Sequence, residues 1–473
     1  MLSSRESRLL IMKFGGTSVG NSEAISKTVE MVRQGREEWN KVVVVVSALG
    51  GVTDLLLEGA RTSADGCNKT TSSIKNELRG RHFGVIEDLL SDDKVKVQAR
   101  FYCEKLLDRW ESLCNAIREL GETTPRALDA VSSIGEKLSS HLVALALDAS
   151  GISSCCQVST EFFITDSNFQ AAHPDMSVTR EKTRAALFPL LENGIVPVVT
   201  GFIGSNSEGV TTTLGRGGSD YSAAILAAVL EADEVWICTD VNGVMSADPR
   251  IVPEAMTIPE LSFQELAELA FFGARVVHPM TVRPVVEAGI NLVIKNTFDP
   301  SHPGTRLIAD SEIVVNGIMK AVTSFKGQRL ITVEGRGMLG VPGVAARTFS
   351  AVAATGTNVI LIIQASSEQS ISFAVPCKCA DKVIEALTNA FALELSTRDI
   401  DRISTSGESA IITAVGSGMC NKPEVFGKIF SSLGKNDLNV NAIAQGPSSV
   451  SVSLVVDAGD AEQAVRSLHS LVV

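Results

Sequence analysis

The chain has 473 residues, more than one ordinary hydrophobic core holds, so its length predicts two or three domains. Hydrophobic residues make up 45% and charged residues 20%, a composition typical of a folded globular protein. The formal net charge of -12 argues against a nucleic-acid-binding surface, which needs clustered basic residues, but it does not exclude small anionic substrates.

Over the first 300 residues, short β-branched apolar runs alternate with stretches of helical spacing. The runs are Leu9–Met12, Val42–Val46, Val196–Thr200, Val235–Cys238 and Leu292–Ile294. The helical stretches include Ser22–Arg33, Ala223–Leu230, Phe263–Phe271 and most of residues 85–148. Continuous apolar strands separated by helices predict a mostly parallel sheet covered on both faces, and hence an open α/β fold.

Four of the predicted strands end in loops of glycine and small polar residues. These loops begin near Lys13, Ser47, Gly201 and Thr239. Because ligands bind at the carboxyl edge of open parallel sheets, the four loops predict a single polar site along that edge.

The loop after the first strand, residues 13–18 (KFGGTS), has the most specific sequence. It fits neither the Walker pattern nor G-x-G-x-x-G, so a P-loop or a dinucleotide site is unsupported. Its glycines would still let backbone N–H groups approach phosphate oxygens, and Lys13 would add a full positive charge. Asn21 or Ser22 would cap the helix that follows. The structural alternative is a tight turn with a surface lysine.

A second glycine-rich loop, residues 214–220 (LGRGGSD), precedes a helix predicted over Tyr221–Leu230. Arg216 stands between glycines, and its planar guanidinium suits a carboxylate. Asp220 stands at the expected helix start, where capping is the alternative to a role in the site. Glu136 is a candidate partner for a substrate ammonium, and an exposed helical glutamate is the ordinary alternative.

The last 150 residues contain an internal repeat. Residues 331–338 (ITVEGRGM) recur as 412–419 (ITAVGSGM), and Gln364 and Ser372 recur as Gln445 and Ser453, always at an offset of 81. An unbroken offset over more than forty positions indicates a duplicated module. Each copy reads as a βαββαβ unit, and two such units could pair their sheets side by side.

The cysteines and the hydropathy exclude further classes. The nine cysteines are scattered and form no C-x-x-C, which predicts free thiols in a reducing compartment and no protein metal site. No apolar run reaches the roughly 18 residues that a membrane span needs, so we expect neither a membrane nor a nucleic-acid partner.

Taken together, these motifs resemble the aspartate kinases, within the amino-acid kinase family. The resemblance rests on residues 13–20 (KFGGTSVG), 47–56 (SALGGVTDLL), 211–223 (TTTLGRGGSDYSA), 239–250 (TDVNGVMSADPR) and 271–279 (FFGARVVHP). The repeat resembles paired ACT domains. The amino-acid sequence of the motifs is most like that of the monofunctional, lysine-inhibited members from plants. The implied architecture is a three-layer αβα kinase domain over residues 1–312, then two ferredoxin-like ACT domains over 313–400 and 401–473.

The resemblance also implies roles by position, with Lys13 and Asp220 as the catalytic pair. ATP would be bound by Lys13, Gly15, Gly16, Ser18, Thr239, Asp240, Arg250 and Arg275. Aspartate would be surrounded by Thr53, Glu136, Phe202, Arg216, Ser219 and Asp220. A regulatory amino acid would bind at Met338, Gly340, Ala345, Asn358, Val359, Gln364, Asn439 and Asn441.

The implied reaction transfers the ATP γ-phosphate to the β-carboxylate of L-aspartate, giving 4-phospho-L-aspartate and ADP, the first step towards lysine, threonine and methionine. A carboxylate with an ordinary pKa of about 3.9 is already ionised at pH 7, so it needs no general base. Lys13, loop N–H groups and Mg²⁺ would act by positioning and charge neutralisation. Asp220 would orient Lys13, the substrate ammonium or the metal.

The implied regulation is feedback inhibition by lysine, with S-adenosylmethionine suggested as a second effector by the likeness to the plant enzyme. Effectors of the family often bind between modules of two subunits, so we expect a homodimer or a larger assembly through the ACT domains. The alternative is that the repeats only dimerise. The plant likeness predicts the chloroplast stroma, and otherwise the cytoplasm.

Two rival functions stay open. One is a sibling kinase of glutamate, acetylglutamate or a nucleoside monophosphate, against which the duplicated module and KFGGTSV argue. The other is a non-catalytic amino-acid sensor, against which the joint presence of Lys13, Glu136, Arg216 and Asp220 argues. Because the chain ends just after the second module, we do not expect a fused homoserine dehydrogenase, which would need about two further domains.

Overall fold

The computed structural model describes residues 8–273, 277, 279–308, 319–364, 369–419, 422–446 and 450–472. The chain divides into two compact units that alternate along the sequence. The first comprises Met1–Val244, Pro259–Phe263 and Val276–Ala309, and the second comprises Met245–Ile258, Gln264–Arg275 and Asp310–Val473. The domain boundaries at residues 312 and 400 stay predictions.

The first unit is built on one large sheet of eight strands within the described residues. In spatial order these are β3 (Ser154–Gln157), β5 (Val196–Thr200), β2 (Lys41–Val46), β1 (Leu9–Phe14), β8 (Glu234–Thr239), β10 (Asn291–Asn296), β11 (Thr305–Ile308) and β9 (Glu260–Ser262). All neighbours are parallel except β10 and β11. The predicted α/β class is confirmed.

Helices flank this sheet, and the apolar runs of the sequence explain why. Val42–Val46 is buried throughout, as a central parallel strand must be. Leu10, Met12 and Phe14 alternate along β1 and share one core with helices of the first 150 residues. The helices of the unit are α1 (Ser22–Glu38), α2 (Val52–Ala64), α3 (Asn68–Leu89), α4 (Asp93–Leu120), α5 (Pro125–Ala149), α6 (Met176–Glu192), α7 (Gly218–Leu230) and α9 (Pro279–Glu287).

A small second sheet lies in the same unit and leads into the second glycine-rich loop. Its strands are β4 (Ile164–Thr165), β6 (Ile203–Asn206) and β7 (Thr211–Thr213). Strand β7 pairs antiparallel with β6 and ends directly before residues 214–220. This small sheet therefore positions Arg216.

The second unit contains the repeated modules. Its strands are β12 (Ala321–Glu334), β13 (Leu361–Gln364), β14 (Ser370–Pro376), β15 (Arg402–Thr405), β16 (Ser409–Val415), β17 (Ala442–Gln445) and β18 (Ser451–Asp457). Its helices are α8 (Phe263–Phe271, from Gln264 onward), α10 (Val344–Ala354), α11 (Cys377–Ala390), α12 (Ala392–Thr397), α13 (Pro423–Lys435) and α14 (Ala461–His469). The duplication is visible in the contacts, because the hydroxyl pair Thr332···Ser372 (2.9 Å) recurs as Thr413···Ser453 (2.8 Å).

The two modules share one antiparallel sheet, in the order β13-β14-β12-β16-β18-β17, which confirms the side-by-side pairing. The long strand β12 belongs to both halves. Residues 328–334 of β12 pair with β14 and β15, whereas residues 321–325 pair with β16, with an irregularity between Phe325 and Gln328. The sequence predicted two separate copies and did not predict this shared strand.

The helices in the described ranges were also compared with the requirements for crossing a bilayer. None of them combines the necessary length with a sufficiently apolar composition.

Candidate functional site

The strand-end loops of the first unit enclose one cavity of about 380 Å³. Its walls come from the loops after β1 and β2, from α2 and α5, and from the loop that leads into α7. The lining residues are Lys13, Gly16, Ser47, Ala48, Leu49, Gly50, Gly51, Thr53, Asp54, Glu136, Phe202, Gly215, Arg216, Gly217, Gly218, Ser219 and Asp220. The cavity thus brings together every residue that the sequence assigned to aspartate, along with Lys13 and Gly16 of the ATP set.

Lys13 and Asp220 form an ion pair in this cavity. The Lys13 Nζ lies 2.5 Å from the Asp220 Oδ1, and the two side chains are 12% and 11% exposed. Helix α7 begins at Gly218, and its N-cap is Gly217 in the left-handed region at φ 72°, with no side-chain capping bond. The two structural alternatives, a surface lysine and a capping aspartate, are therefore wrong.

Glu136 is only 3% exposed, so the alternative of an exposed helical glutamate is also wrong. Its Oε1 accepts a hydrogen bond from the Ala48 backbone N–H at 3.3 Å. Its Oε2 is buried and has no hydrogen-bond partner in the described part of the chain. Burial raises the pKa of Glu136 to about 7. A buried carboxylate with a free oxygen at a cavity wall is suited to a ligand cation.

Arg216 is an exposed cation in the same cavity and forms no ion pair within the described ranges. It is the last residue before Gly217, whose positive φ turns the chain into α7. Phe202 also lines the cavity and adopts φ 67°, a left-handed conformation that non-glycine residues rarely adopt. A Cβ at Gly218 would lie 2.6 Å from the Phe202 ring, so Gly218 permits this packing.

The glycines after β1 allow two loops to approach closely. The Gly50 N–H donates to the Gly16 carbonyl at 3.0 Å, and a Cβ at Gly16 would lie 3.1 Å from the Ala48 carbonyl oxygen. The Gly15 N–H donates to the Cys238 carbonyl at 3.3 Å. The Ser18 side chain is fully buried, with its Oγ 2.8 Å from the Thr297 Oγ1. Ser18 therefore ties the loop to the ends of the neighbouring strands.

Among the other predicted nucleotide residues, Thr239, Asp240 and Arg250 do not line this cavity. Thr239 ends β8, and its Oγ1 donates to the Oδ1 of the exposed Asp240 at 3.1 Å. Arg250 belongs to the second unit, where it pairs with Asp248 at 2.7 Å. Arg275 lies outside the described residues.

Sequence reasoning missed several cavity residues between β2 and the first turn of α2. Ser47, Gly50, Gly51 and Asp54 all line the cavity, although only Thr53 of this segment was predicted. The signal was present, because the glycine pair follows an apolar strand after three residues, and Gly51 adopts φ 77° at the N-cap of α2.

The predicted effector residues are dispersed over the second unit. Met338 is buried in the core of the first module, and Gly340 adopts φ 68°. The Asn439 Nδ2 donates to the Asn441 Oδ1 at 3.0 Å, and the Asn441 Nδ2 donates to the Asp457 Oδ1 at 2.8 Å. The others, Ala345, Asn358, Val359 and Gln364, are half-buried or exposed.

A second cavity, of about 310 Å³, lies within the second unit between the edge strands of the two modules and α8. It is lined by Glu268, Phe272, Val359, Ile360, Leu361, Ile362, Ala444, Gln445, Gly446, Ser451 and Ser453. Of the predicted effector residues, Val359 lines it, and Gln445, the repeat counterpart of Gln364, lies opposite.

Comparison with known proteins assigns the family. Residues 8–296 match the amino acid kinase family, and residues 331–391 and 412–471 each match the ACT domain. The chain is 36% identical over 467 residues to bifunctional aspartokinase/homoserine dehydrogenase 2 of Arabidopsis thaliana, covering 97% of this chain and 50% of that protein. It is 32% identical over 466 residues to lysine-sensitive aspartokinase 3 of Escherichia coli, covering 98% and 99%.

The crystal structure of E. coli aspartokinase III with lysine and aspartate superposes on the chain with a TM-score of 0.79 at 31% identity, covering 98% of this chain and 99% of that one. The chain spans about half the length of the bifunctional Arabidopsis relative. The kinase-family and ACT matches, together with the aspartokinase relatives, show that the chain belongs to the aspartokinases of the amino acid kinase family.

Proposed function

We propose that the chain is an ATP-dependent aspartate kinase, which transfers the ATP γ-phosphate to the β-carboxylate of L-aspartate. The observation that carries this proposal is the single cavity in which Lys13, Glu136, Arg216 and Asp220 meet. The family supports it, because E. coli aspartokinase III binds aspartate together with ADP. The product would be 4-phospho-L-aspartate, a precursor for lysine, threonine and methionine.

Aspartate would be held by two of its three charges. The free oxygen of Glu136 would accept the ammonium, and the unpaired Arg216 guanidinium would bind a carboxylate through its planar fork. Thr53, Phe202 and Ser219 would complete the walls. Two opposite charges in one small cavity favour a zwitterion over a simple acid, because each ligand charge meets its complement.

ATP would approach along the loop after β1. Lys13 and the backbone N–H of Gly16 would face the terminal phosphates, and Gly15 would shape the loop through its bond to Cys238. Thr239, Asp240, Arg250 and Arg275 would line the nucleotide side. Because Ser18 is buried by its bond to Thr297, any phosphate contact from it would use its backbone. The loop would thus present one lysine to the phosphates of ATP. Mg²⁺ bound to ATP would neutralise further negative charge.

The chemistry would need no general base from the protein. The β-carboxylate is ionised at pH 7 and can attack directly, so the protein supplies position and charge. Lys13 would face the charge that develops on the transferred phosphate and on the leaving ADP. Asp220 would orient the Lys13 ammonium through their contact of 2.5 Å.

Regulation by amino acids is the second part of the proposal. We expect lysine to inhibit the enzyme, as the name of the E. coli relative indicates for that protein, and S-adenosylmethionine to be a second effector. The cavity of the second unit offers the Glu268 carboxylate to a ligand ammonium. The outward Ile362 and Ile443, 53% and 43% exposed on the edge strands β13 and β17, favour a homodimer or larger assembly through the ACT domains.

The proposed location is the chloroplast stroma if the source is a plant, and otherwise the cytoplasm. Its support is the Arabidopsis relative, whose name places that protein in the chloroplast.

The decisive experiment is an aspartate-dependent ADP-release assay, run with and without lysine. Hydroxylamine should trap the acyl phosphate when aspartate is supplied, and not when glutamate or acetylglutamate replaces it. A nucleoside monophosphate, whose product would not be an acyl phosphate, should give no ADP release. ADP release that does not depend on aspartate would contradict the proposed substrate. Aspartate-dependent release that lysine leaves unchanged would keep the kinase and remove the proposed effector.

A further inference from the structure

Asp129 is a buried carboxylate in the first unit that the reaction described above does not use. It lies near the start of α5 and is 1% exposed. Glu136 follows seven residues later, so the two side chains lie on the same side of the helix, two turns apart. Asp129 does not line the cavity, whereas Glu136 does. Burying a carboxylate is costly unless hydrogen bonds compensate it, so its partners indicate its purpose.

Those partners are Thr213, on the strand that leads to Arg216, and Gln170, whose loop lies against Gly215. The Asp129 Oδ2 accepts hydrogen bonds from the Thr213 N–H at 2.9 Å and from the Gln170 N–H at 3.0 Å. The Asp129 Oδ1 accepts one from the Thr213 Oγ1 at 2.8 Å. Burial raises the pKa of Asp129, although these bonds oppose the shift. Helix α5 has its own cap, since the Thr124 Oγ1 accepts from the Ala127 N–H at 3.2 Å.

Thr213 is the last residue of β7, three positions before Arg216. The Ala172 N–H donates to the Thr213 carbonyl at 2.9 Å. The loop containing Gln170 and Ala172 is therefore linked to Thr213 directly through Ala172 and indirectly through Asp129. That loop also limits Gly215, where a Cβ would lie 2.9 Å from the Gln170 carbonyl oxygen. Two routes therefore connect Asp129 to the backbone that carries Arg216.

We propose that Asp129 is a positioning residue that fixes the loop of Arg216 relative to Glu136, and so holds the carboxylate-binding and ammonium-binding groups of the cavity at a set spacing. One rigid helix carries the ammonium-binding carboxylate and the anchor for the carboxylate-binding arginine. The spacing of the two substrate contacts is then set by α5, not by a surface loop. The inference rests on the proposed aspartate kinase function.

The test uses three variants of the full chain. Asp129→Ala removes all three hydrogen bonds. Asp129→Asn is the conservative variant, because an amide oxygen can accept from both N–H groups while its NH₂ donates to the Thr213 hydroxyl. Thr213→Val removes the hydroxyl bond and leaves the others. For each variant and for the wild type, kcat and KM are measured for aspartate and for ATP.

We expect Asp129→Ala to lower kcat/KM for aspartate by about 100-fold, with the KM for ATP changed by less than about threefold. Much of this loss should be a rise of about tenfold in the KM for aspartate, since the two substrate contacts are no longer held at a set spacing. Asp129→Asn should return the KM for aspartate to within about threefold of the wild type, and Thr213→Val should raise it by about threefold.

A structural role alone would lower the fraction of folded enzyme, and so reduce the apparent kcat without changing the KM for aspartate. An unchanged KM for aspartate in Asp129→Ala would therefore overturn the inference. If Asp129→Ala is insoluble, an unchanged KM for aspartate in Thr213→Val overturns it instead. A wild-type chain that releases no ADP with aspartate would refute the proposed function and this inference together, whereas an active wild type with unchanged KM values in the variants refutes the inference alone.

Discussion

The contact between Lys13 and Asp220 shows how one residue pair can be prepared for an anionic ligand. Both side chains are about one-tenth exposed, so the pair is largely removed from water. Breaking such a pair by removing one partner leaves the other charge without compensation. Lys13 also lies on a central strand, with Val45 and Ile237 as its neighbours in register, so its backbone has little freedom.

We expect Lys13→Ala to lower kcat by about 100-fold or more, because the charge facing the transferred phosphate is lost. The KM for aspartate should change by less than about threefold, since Glu136 and Arg216 remain. Steady-state ADP release measures both quantities. Lys27→Ala, which removes an exposed lysine paired with Glu30 on α1, is the matched control and should leave both unchanged. A near-normal kcat in Lys13→Ala would exclude Lys13 from the mechanism.

The buried Glu136 should make substrate capture depend on pH. Its pKa is raised to about 7 by burial, so in the free enzyme the carboxylate is neutral below pH 7 and ionised above it. Only the ionised form can pair with an ammonium. We therefore expect log(kcat/KM) for aspartate to rise with unit slope as the pH increases towards about 7, and to level off above it.

Glu136→Gln tests this assignment. The amide has no charge to gain, so the variant should show a flat profile between about pH 5.5 and pH 8.5, with kcat/KM about 100-fold below the wild type at the upper end. Rates in overlapping buffers of constant ionic strength give the profile. If the rise near pH 7 persists in Glu136→Gln, another group controls it.

Residue types could be predicted from the sequence, whereas their burial could not. Lys13, Arg216 and Asp220 lie near glycines at the ends of strands or helices. This pattern can be recognised in a short stretch of sequence. The burial of Glu136 depends on Ala48, 88 positions away, so nothing near Glu136 in the sequence distinguishes it from a surface glutamate. The role of Asp129 is hidden for the same reason, because Thr213 lies 84 positions away.

At the scale of elements, the approach of α5 to the loop after β2 decides where Glu136 stands. Gly135 makes this approach possible, since a Cβ there would lie 2.7 Å from the Ala48 Cβ and 3.4 Å from Leu56 Cδ1. The Ala48 N–H is also the donor to Glu136. A side chain at position 135 must therefore push α5 away from the loop that lines the cavity.

Gly135→Ala should raise the KM for aspartate about tenfold and destabilise the protein by about 1–3 kcal/mol through overpacking. Gly84→Ala is the matched control in α3, because no heavy atom lies within 4 Å of the added Cβ. There the loss of glycine flexibility should stabilise the protein by about 0.5–1 kcal/mol without changing KM. Chemical denaturation and steady-state kinetics measure the two effects. Equal behaviour of the two variants would contradict the packing argument.

The positions of helices and strands could be predicted well where the spacing of apolar residues marks a buried segment. The run Val196–Thr200 and the helix Phe263–Phe271 agree with the structure to the residue. The start of α7 was predicted three residues too late, because the left-handed Gly217 opens the helix in place of a polar cap. A left-handed glycine can end one segment or begin the next, and the sequence does not show which of the two it does.

At the scale of the whole molecule, the division into units does not follow the order of the sequence. Helix α8 comes between two segments of the first unit, yet from Gln264 onward it belongs to the second. The shared strand β12 likewise serves both modules. Both features depend on contacts between distant segments, so a repeat with an offset of 81 could predict the modules but not how they are joined.

A buried carboxylate explains why α8 stays with the second unit. Glu265 is fully buried, and its Oε1 accepts from the Ser417 N–H at 2.7 Å and from the Ser417 Oγ at 2.8 Å. Its Oε2 lies 2.9 Å from the Lys320 Nζ. One turn later, the half-buried Glu268 accepts a hydrogen bond from the Ser451 Oγ at 2.8 Å. The two glutamates thus differ in burial and in the number of groups they satisfy.

Glu265→Ala should destabilise the second unit by about 3–5 kcal/mol, because Lys320 and the Ser417 N–H lose a buried acceptor. Glu268→Ala should cost about 1 kcal/mol, the loss of one partly exposed hydrogen bond. Hydrogen exchange of peptides covering residues 264–272 and 409–417 measures the difference, with residues 9–14 of β1 as the internal reference. Faster exchange in both peptides of Glu265→Ala, with β1 unchanged, would mean that Glu265 attaches α8 to the antiparallel sheet of the second unit. The chain segments directly before and after Gln264–Arg275 belong to the first unit. Equal exchange in the two variants would mean that apolar packing around Phe272, not this carboxylate, keeps α8 in place.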